Sequence, residues 1–400
     1  MLREIQALSN EIFPEVVRLR RTIHAHPELA FEEYETARLV VETLQPLGVE
    51  IQTGIAQTGV VATLRGAMPG RTVLLRADMD ALPIHEENDL DFRSRHAGKM
   101  HACGHDAHTA SLLGTAMILA RLRDQLRGQV RLVFQPSEEK LPGGAQAMIR
   151  EGVLEAANGV PAPEVVFAQH VHPDLPVGMI GVRSGMYMAS ADELYITVRA
   201  EGGHAAAPHR LQADGVLVAA HIIVALQAII SRHAPPDVPS VLSIGRVLAE
   251  GATNVLPGTV RLEGTFRAMD EDWRFRAHAL IRRIVKHTAQ AHGAEADIEI
   301  VVGYPALYNH DGPTALVREA ARAYVGPDRV VELEPWFASE DFAYFLRERP
   351  GCFYRIGTGN PEKGITSGLH TPRFTIDEEA LRIAPGFMAY LTWRYLESAL

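Results

Sequence analysis

The sequence is poor in the residues on which several protein classes depend. Only two cysteines, Cys103 and Cys352, occur in 400 residues, so a single bridge is the most that could form and no disulfide framework is expected. Such sparse use of cysteine favours a reducing compartment. Acidic residues outnumber basic ones, 49 to 39, and the net charge of -10 disfavours the basic face that nucleic-acid binding needs.

Signals for export or membrane insertion are also missing. The first residues, MLREIQALSNEIFPEVV, are typical of an amphipathic helix and lack the basic-then-apolar order of a signal peptide. The longest nearly apolar run, residues 215–230, contains His221 and Gln227. It falls short of the ~20 apolar residues that a membrane span needs. We therefore expect a cytoplasmic protein with no membrane partner and no nucleic-acid partner.

Several catalytic motifs are absent from the chain. It has no G-x-S-x-G nucleophile elbow and no G-x-x-x-x-G-K-[ST] phosphate loop. His85-Glu86 is not followed by a second histidine at the zincin spacing. The P-C-x-x-C of nucleobase deaminases is missing as well.

One short segment carries most of the residues capable of metal chemistry. Residues 101–108, HACGHDAH, contain three imidazoles, a thiol and a carboxylate. Imidazole and thiolate are the usual ligands of zinc and related divalent cations. Cys103 and His105 are two residues apart, so we expect a loop rather than a regular helix to direct both at one ion. The alternative is a buried cysteine beside surface histidines, and the density of the cluster favours ligands.

Apolar periodicity predicts alternating helices and strands, which indicates an α/β sheet. We predict helices at 2–20, 33–46, 107–123 and 313–325, and strands at 72–76, 130–134, 165–168 and 353–356. Ligands of open α/β sheets lie beyond the carboxyl ends of the strands. Acidic residues or histidines follow each of the four strands: Asp78 and Asp80, Glu138 and Glu139, His170 and His172, and, after a glycine-rich loop, His370. The four segments are therefore expected to converge on a polynuclear metal site.

The middle of the chain has a different pattern. Strands near 193–200, 240–248, 258–267 and 296–303 alternate with helices near 212–231 and 271–292, which is the β-α-β-β-α-β order of a ferredoxin-like α+β domain. We predict an open mixed-sheet catalytic domain sandwiched by helices, formed by residues 1–186 and 304–400. A small domain of residues 187–303 is inserted into it.

Glu138 and Glu139 follow Pro136, so both are expected on a loop where they can turn inward. Two neighbouring carboxylates suit a division of labour, in which one binds metal and the other takes a proton from water. The ordinary alternative is a solvated pair on the surface. Within the insert, His204, Asn254 and Arg267 are turn or strand-end residues that matter only if the small domain faces the metal site.

The chain resembles the two-metal amidohydrolases of the aminoacylase/carboxypeptidase family, in the branch of hippurate hydrolase and the N-acyl- and indole-acetyl-amino-acid hydrolases. The resemblance runs in order through most of the chain. Its motifs are RRTIHAHPELAFEE, LLRADMDALPI, MHACGHDAHTA, PSEE, HVHPDLPVG, GGHAAAPH, NVLP, FASEDFA and GLHTP.

The resemblance implies a role for each candidate residue. Glu138 is implied as general base and acid, Asp80 as a support behind the site, and Arg267 as the group that holds the substrate carboxylate. His204 and Asn254 are implied to hold the scissile carbonyl oxygen from the partner subunit of a homodimer or dimer of dimers. The implied metal ligands are Cys103, His105, Glu139, His170 and His370.

The expected reaction is hydrolysis of an N-acyl amino acid to a carboxylate and a free amino acid, with two divalent cations per subunit. A thiolate ligand favours zinc, with manganese, nickel or cobalt as alternatives. The nearest rival is a dipeptidase or carboxypeptidase with the same machinery, and a more distant one is a metal-dependent binding protein without catalysis. Ser137, the bulky Lys140-Leu141-Pro142 loop and Gln169 depart from the pattern of this branch, which leaves substrate preference open.

Overall fold

The computed structural model describes residues 1–398, which separate into two compact units. The first comprises Met1–Gly185, Tyr308–Glu334 and the chain from Asp341 onward, and the second comprises Met186–Leu307 and Pro335–Glu340. The larger unit is thus built from segments that are distant in sequence. The sequence predicts an inserted domain of residues 187–303. Contacts in the structure divide the chain after Gly185 and after Leu307, and they add Pro335–Glu340 to the smaller unit.

Within residues 1–398 the α-helices are α1 (Leu2–Ala25), α2 (Tyr34–Leu44), α3 (His105–Arg121), α4 (Gly144–Arg150), α5 (Gly215–Ala228), α6 (Glu271–Ala291), α7 (Asp311–Val325), α8 (Ala343–Glu348) and α9 (Ala384–Glu397). The strands are β1 (Glu50–Ile55), β2 (Gly59–Arg65), β3 (Met68–Asp78), β4 (Arg127–Gln135), β5 (Val165–Pro176), β6 (Ile180–Val182), β7 (Gly185–Met188), β8 (Asp192–Arg199), β9 (Gly203–His204), β10 (Ser240–Leu248), β11 (Val255–Leu256), β12 (Thr259–Ala268), β13 (Glu295–Val302), β14 (Leu307–Asn309), β15 (Val330–Glu332) and β16 (Gly351–Gly359).

The larger unit is built on an eight-stranded mixed sheet in the order β1-β2-β4-β3-β5-β16-β6-β15. Its four central strands, β4, β3, β5 and β16, are parallel to one another. They are buried over most of their length, as expected for parallel strands covered by helices. Helices α1, α3, α7 and α9 share one hydrophobic core with these strands. The predicted open α/β sheet is therefore confirmed.

The central sheet opens beside β5, and the opening creates room for the site. Strand β5 pairs with β3 only from Val165 to Ala168, whereas its pairing with β16 continues to Pro176. Strand β3 continues to Asp78 in register with β4. The crevice at the carboxyl ends of these strands is the usual ligand position in such sheets.

The smaller unit contains a four-stranded antiparallel sheet in the order β10-β12-β8-β13. Helices α5 and α6 pack against it around one apolar cluster. Read in chain order, the elements are β8-α5-β10-β12-α6-β13, which confirms the ferredoxin-like arrangement predicted from the sequence.

Helix α5 presents two apolar faces. One face buries Val218, Ile222 and Leu226 in the small unit, while Val216 and Val224 on the other are exposed. The apolar run predicted to end at residue 230 continues as a helical segment to His233. Over Gly215–His233 it is long and apolar enough to cross a membrane by length and composition alone, although a third of that stretch is buried within the fold. Core helices of soluble proteins have the same composition.

Candidate metal centre

The segment with the thiol and the imidazoles lies directly before helix α3. Cys103 is on the loop, and His105 is the first residue of the helix rather than part of the expected loop. Gly104 between them has φ +85°, and a Cβ there would lie 2.4 Å from Cγ2 of Val171. Only glycine fits both the left-handed backbone and the close approach of β5. This bend turns Cys103 and His105 toward the same crevice.

The ring of His105 is held by one nitrogen and leaves the other without a partner. Its Nδ1 lies 3.2 Å from Oδ1 of Asp80. Among residues 1–398, buried Nε2 finds no hydrogen-bond partner, although carboxylate oxygens of Asp78, Glu138 and Glu139 lie 3.8, 3.9 and 3.8 Å away. A buried imidazole nitrogen facing three carboxylates without a hydrogen bond is what a cation site requires.

His170 is oriented in the same way. Its Nδ1 lies 2.7 Å from the carbonyl oxygen of Val171, so this nitrogen carries the proton and donates it. Nε2 then presents its lone pair and lies 3.4 Å from Sγ of Cys103. The sequence placed His170 just beyond a strand, but β5 continues past it, because pairing with β16 persists after pairing with β3 has ended. His172 is half-buried and belongs to none of the ligand groups within residues 1–398.

The Glu138–Glu139 pair lies on the loop after β4, as predicted. Backbone N–H groups of both residues donate to Asp80, at 2.9 Å to Oδ1 and 2.9 Å to Oδ2. Glu138 is buried and Glu139 is partly buried, so the pair is not a solvated surface feature. Asp80 therefore holds this loop and the His105 ring at once.

His370 comes to the same place from the loop after β16. Its own backbone has φ +59°, and its N–H donates to the carbonyl of Ala102 at 2.8 Å. Nε2 lies 3.1 Å from Oε1 of Glu139, an oxygen that forms no hydrogen bond within residues 1–398. A strained backbone held by a neighbouring segment is frequent at functional sites.

The five predicted ligands form overlapping groups. Within each group, ligand atoms of different residues lie within 4.8 Å of one another. One group holds Cys103, His105 and His170, and another holds Cys103, Glu139 and His370. Two groups that share the sulfur atom of Cys103 fit two neighbouring divalent cations better than one. The structure thus brings the predicted ligands together, in sets that suit a dinuclear centre.

Charges in the centre are unbalanced without a cation. Burial lowers the pKa of His105, but the carboxylates of Asp78 and Asp80 outweigh it and raise that pKa to about 10. Burial and the carboxylates of Glu139 and Glu138 raise the pKa of the Cys103 thiol well above its usual range. A divalent cation reverses both preferences, because it binds thiolate and neutral imidazole. The donor set and its charge therefore fit metal ions.

Asp78 and His108 also lie at the centre; the sequence analysis named Asp78 at a strand end and His108 in the segment 101–108, but assigned no individual role to either. Nδ1 of His108 lies 2.6 Å from Oδ1 of Asp78, and the N–H of Val171 donates to Nε2 at 2.9 Å. Both ring nitrogens are thus engaged, so His108 supports the β5 backbone beside His170 instead of binding metal. In the sequence, His108 lies three residues after His105, and this spacing places both side chains on one face of a helix. That spacing is the sequence feature that could have indicated a role for His108 at the centre.

Gln169 is accommodated by polar partners, which explains a polar residue where an aliphatic one is usual. Its side-chain amide donates to Oγ of Ser111 at 2.5 Å, and its carbonyl oxygen accepts from the Tyr354 hydroxyl at 3.3 Å. Gln169 thereby connects α3, β5 and β16 beneath the ligands.

The remaining predicted residues belong to the smaller unit. His204 and Asn254 lie next to each other, because β9 pairs with β11 through His204 and Val255, and Ala205 N–H donates to the Asn254 carbonyl at 3.0 Å. Nδ1 of His204 accepts from the Ala206 N–H at 3.1 Å, which leaves the proton on Nε2. Arg267 donates to the carbonyl of Phe337 at 2.9 Å.

Comparisons with known proteins agree with this geometry. Residues 74–393 match the family described as Peptidase family M20/M25/M40. The chain is 39% identical over 376 residues to thermostable carboxypeptidase 1 of Saccharolobus solfataricus, which covers 93% of each protein. It is 44% identical over 308 residues to an N-acyl-L-amino acid amidohydrolase of Geobacillus stearothermophilus, which covers 77% of this chain and 81% of that protein. The structure of the Bacillus subtilis YXEP protein, a dinuclear metal binding peptidase, superposes with a TM-score of 0.82 at 36% identity, over 98% and 100% of the two chains.

We expect Gly104→Ala to disrupt the centre more than it disrupts the fold. The new Cβ would meet Val171 at 2.4 Å, in addition to the cost of about 1–2 kcal/mol for a left-handed non-glycine residue. Metal retained per chain after dialysis against a weak chelator should fall, together with the melting temperature. Gly98→Ala is the matched control, because Gly98 has φ +77° and a Cβ there meets nothing within 4 Å. Equal metal retention in the two variants would contradict the proposed contact.

Proposed function

The chain belongs to peptidase family M20/M25/M40 and is a hydrolase acting on amides, and we propose that its substrates are N-acyl amino acids. The observation that supports this most directly is the set of five metal ligands beside the buried Glu138. The 44% identity to a protein named as an N-acyl-L-amino acid amidohydrolase supports the substrate class. A relative named as a carboxypeptidase supports cleavage of peptides as the second candidate.

We assign the metal ligands as Cys103, His105, Glu139, His170 and His370. In His105 and His170 the protein engages Nδ1, through Asp80 and the Val171 carbonyl respectively. Nε2 of each ring is then available to bind a cation. When bound, two divalent cations would polarise the amide carbonyl and lower the pKa of a water molecule. A thiolate ligand favours zinc, and manganese, nickel and cobalt are the alternatives to compare.

Glu138 is the proposed general base and acid. Its carboxylate is buried beside the ligands, and its backbone is held by Asp80, so it is positioned without itself being needed as a ligand. It would accept a proton from the attacking water and then donate it to the leaving amine. Asp80 touches no substrate in this scheme and acts by holding His105 and the loop of the glutamate pair.

His204, Asn254 and Arg267 are the proposed substrate-binding residues of the small unit. The proton on Nε2 of His204 suits donation to the carbonyl oxygen, which gains negative charge in the transition state. Asn254 lies beside it on the β9–β11 ribbon and would assist. Arg267 would hold the substrate carboxylate through the N–H groups that the Phe337 carbonyl does not use.

We further propose that the protein is a cytoplasmic homodimer formed through the small unit. The exposed side chains of Val216, Leu217 and Val224 form an apolar face on α5 that suits a self-complementary interface. Such a dimer would bring His204 and Asn254 of one subunit to the metals of the other. Both cysteines are free thiols, which suits the cytoplasm. A binding protein without catalysis is less well supported, because Glu138 would then have no role.

A substrate panel separates the two candidate activities. The metal-loaded protein should hydrolyse N-acetyl or N-benzoyl amino acids faster than free-amine dipeptides, compared as kcat/KM with zinc, manganese, cobalt and nickel in turn. Faster turnover of free-amine dipeptides would establish the peptidase instead. No turnover across the panel with metals bound would support the binding protein.

The glutamate pair should separate catalysis from metal binding. Glu138→Gln is nearly isosteric but cannot accept the proton, so kcat should fall by about 10²–10⁴-fold while metal content stays at two per chain. Glu139→Gln should instead lower metal content, as measured by elemental analysis after equal metal loading. Exchanged phenotypes would mean that the two roles are assigned in the wrong order.

Mixing two inactive variants tests whether His204 acts across the dimer. In a heterodimer of His204→Ala and Glu138→Gln, one site combines intact Glu138 from one chain with intact His204 from the other. Random re-association of equal amounts should therefore restore about a quarter of wild-type activity in a two-fold dimer. If His204 acts within its own chain, every site carries one defect and nothing returns. Subunit exchange must be shown independently, for example with differently tagged chains.

A further inference from the structure

Three consecutive backbone N–H groups in the loop of the glutamate pair donate to buried carboxylates. Asp80 accepts those of Glu138 and Glu139, as described above. The preceding N–H, that of Ser137, donates to Oε1 of Glu33 at 2.8 Å. Glu33 comes from the start of helix α2, over a hundred residues earlier in the chain. The backbone of the proposed base and ligand is thus held by Asp80, and the backbone just before it is held by Glu33.

Glu33 holds backbone that would otherwise be unfavourable. Ser137 has φ +51°, and Phe31, whose N–H donates to the same Oε1 at 3.0 Å, has φ +62°. The other oxygen accepts from the Thr58 hydroxyl at 2.5 Å. The left-handed conformation is unfavourable for residues other than glycine, so contacts such as those with Glu33 are needed to hold these two in place.

The carboxylate of Glu33 is itself unfavourably placed. It is fully buried, and within residues 1–398 its hydrogen bonds come from neutral donors, namely the N–H groups of Phe31 and Ser137 and the Thr58 hydroxyl. Burial, assisted by the nearby Asp80, raises its pKa to about 7. Burial of a carboxyl group without a cationic partner is unfavourable, and local costs of this kind are typical of functional sites.

Through its hydrogen bond to the Ser137 N–H, Glu33 holds the turn that precedes Glu138. If the Ser137 N–H lost its acceptor, Ser137 would relax toward negative φ, since that region is favoured for every residue except glycine. Rotation of this backbone would redirect the side chains of the next two residues. The distance from His105 Nε2 to both carboxylates, 3.9 and 3.8 Å, would then change.

We propose that Glu33 is a positioning residue of the metal centre, which holds Ser137 in its left-handed conformation and so sets the direction of Glu138 and Glu139. This inference rests on the proposed function for the roles of the pair. Within residues 1–398 the Glu33 carboxylate accepts from Phe31, Thr58 and Ser137, none of which is a proposed ligand, and Ser137 is the contact that leads to the glutamate pair.

Glu28 provides a matched control. It lies in the same segment, and its carboxylate also accepts three hydrogen bonds, from the Glu35 and Thr36 N–H groups and from the Thr36 hydroxyl. These contacts hold the first turn of α2 and do not involve the loop of the glutamate pair. Glu28→Ala should therefore lower the melting temperature without changing kcat.

The decisive comparison uses Glu33→Ala, Glu33→Gln and Glu28→Ala. Glu33→Ala removes the acceptor, and kcat should fall by about 10–100-fold with KM changed far less, since each hydrogen bond to a charged group contributes about 1.5–3 kcal/mol. In Glu33→Gln the amide oxygen can still accept both N–H groups, so most of kcat should return. Wild-type kcat in Glu33→Ala, or equal losses of kcat in Glu33→Ala and Glu28→Ala, would overturn the proposal.

A second readout needs neither substrate nor metal. Amide hydrogen exchange of the peptide containing Ser137, Glu138 and Glu139 is measured in the metal-free protein. Glu33→Ala should speed exchange there by about tenfold or more relative to wild type, because the Ser137 N–H loses its acceptor. Glu28→Ala should leave it unchanged. Unchanged exchange in Glu33→Ala would overturn the inference, while failure of the substrate panel alone would overturn only the proposed function.

Thr58→Val keeps the test decisive if Glu33→Ala does not fold. This substitution removes the hydroxyl that holds Oε2 and leaves no cavity. We expect kcat to fall by roughly fivefold, which is less than in Glu33→Ala because Oε1 still accepts the Ser137 N–H, and exchange at Ser137 to rise in parallel. No change in either quantity would count against the proposed role of Glu33.

Discussion

The metal centre depends on the carboxylate of Asp80 more than on any other single group. Asp80 lies two residues after the end of β3, and its two oxygens accept from the backbone of Glu138 and Glu139 while Oδ1 also contacts Nδ1 of His105. These three contacts connect the helix α3 segment to the loop after β4, two segments that share no covalent neighbour. Since Asp80 is buried, water does not compete for these bonds, and they fix the directions of both segments.

The sheet makes such a connection possible because it is parallel at its centre. Strands β3, β4, β5 and β16 end on one side, so their following residues meet there. The early end of the β3–β5 pairing adds the crevice, and Gly104 allows α3 to begin close against β5. Two of the proposed ligands have their other ring nitrogen held by the protein: Nδ1 of His105 by Asp80, and Nδ1 of His170 by the Val171 carbonyl. This is how outer contacts orient metal ligands in general.

These physical reasons also explain which parts of the fold and of the site can be predicted from the sequence alone. Residues at the ends of parallel strands must converge, so the alternation of elements and the meeting of the strand-end candidates could be predicted from pattern, whereas the individual ligand set was implied by the family resemblance. The start of α3 at His105 could not be predicted from pattern, since it depends on the left-handed backbone of Gly104 and on its close approach to Val171. The contact of His108 with Asp78 and that of Glu33 with Ser137 join residues 30 and 104 positions apart, and no periodicity in a single sequence predicts such contacts.

The two units differ in how their proposed functional residues are held. In the larger unit Cys103, His105 and His170 are buried and fixed by surrounding hydrogen bonds, as preorganised electrostatics demands. In the smaller unit His204 and Asn254 are exposed on a short two-stranded ribbon. An exposed donor gains most when a substrate or a second subunit removes it from water, because hydrogen bonds strengthen as the surroundings lose polarity. The proposed metal ligands Cys103, His105 and His170 are therefore buried, whereas the proposed substrate-binding residues His204 and Asn254 are accessible.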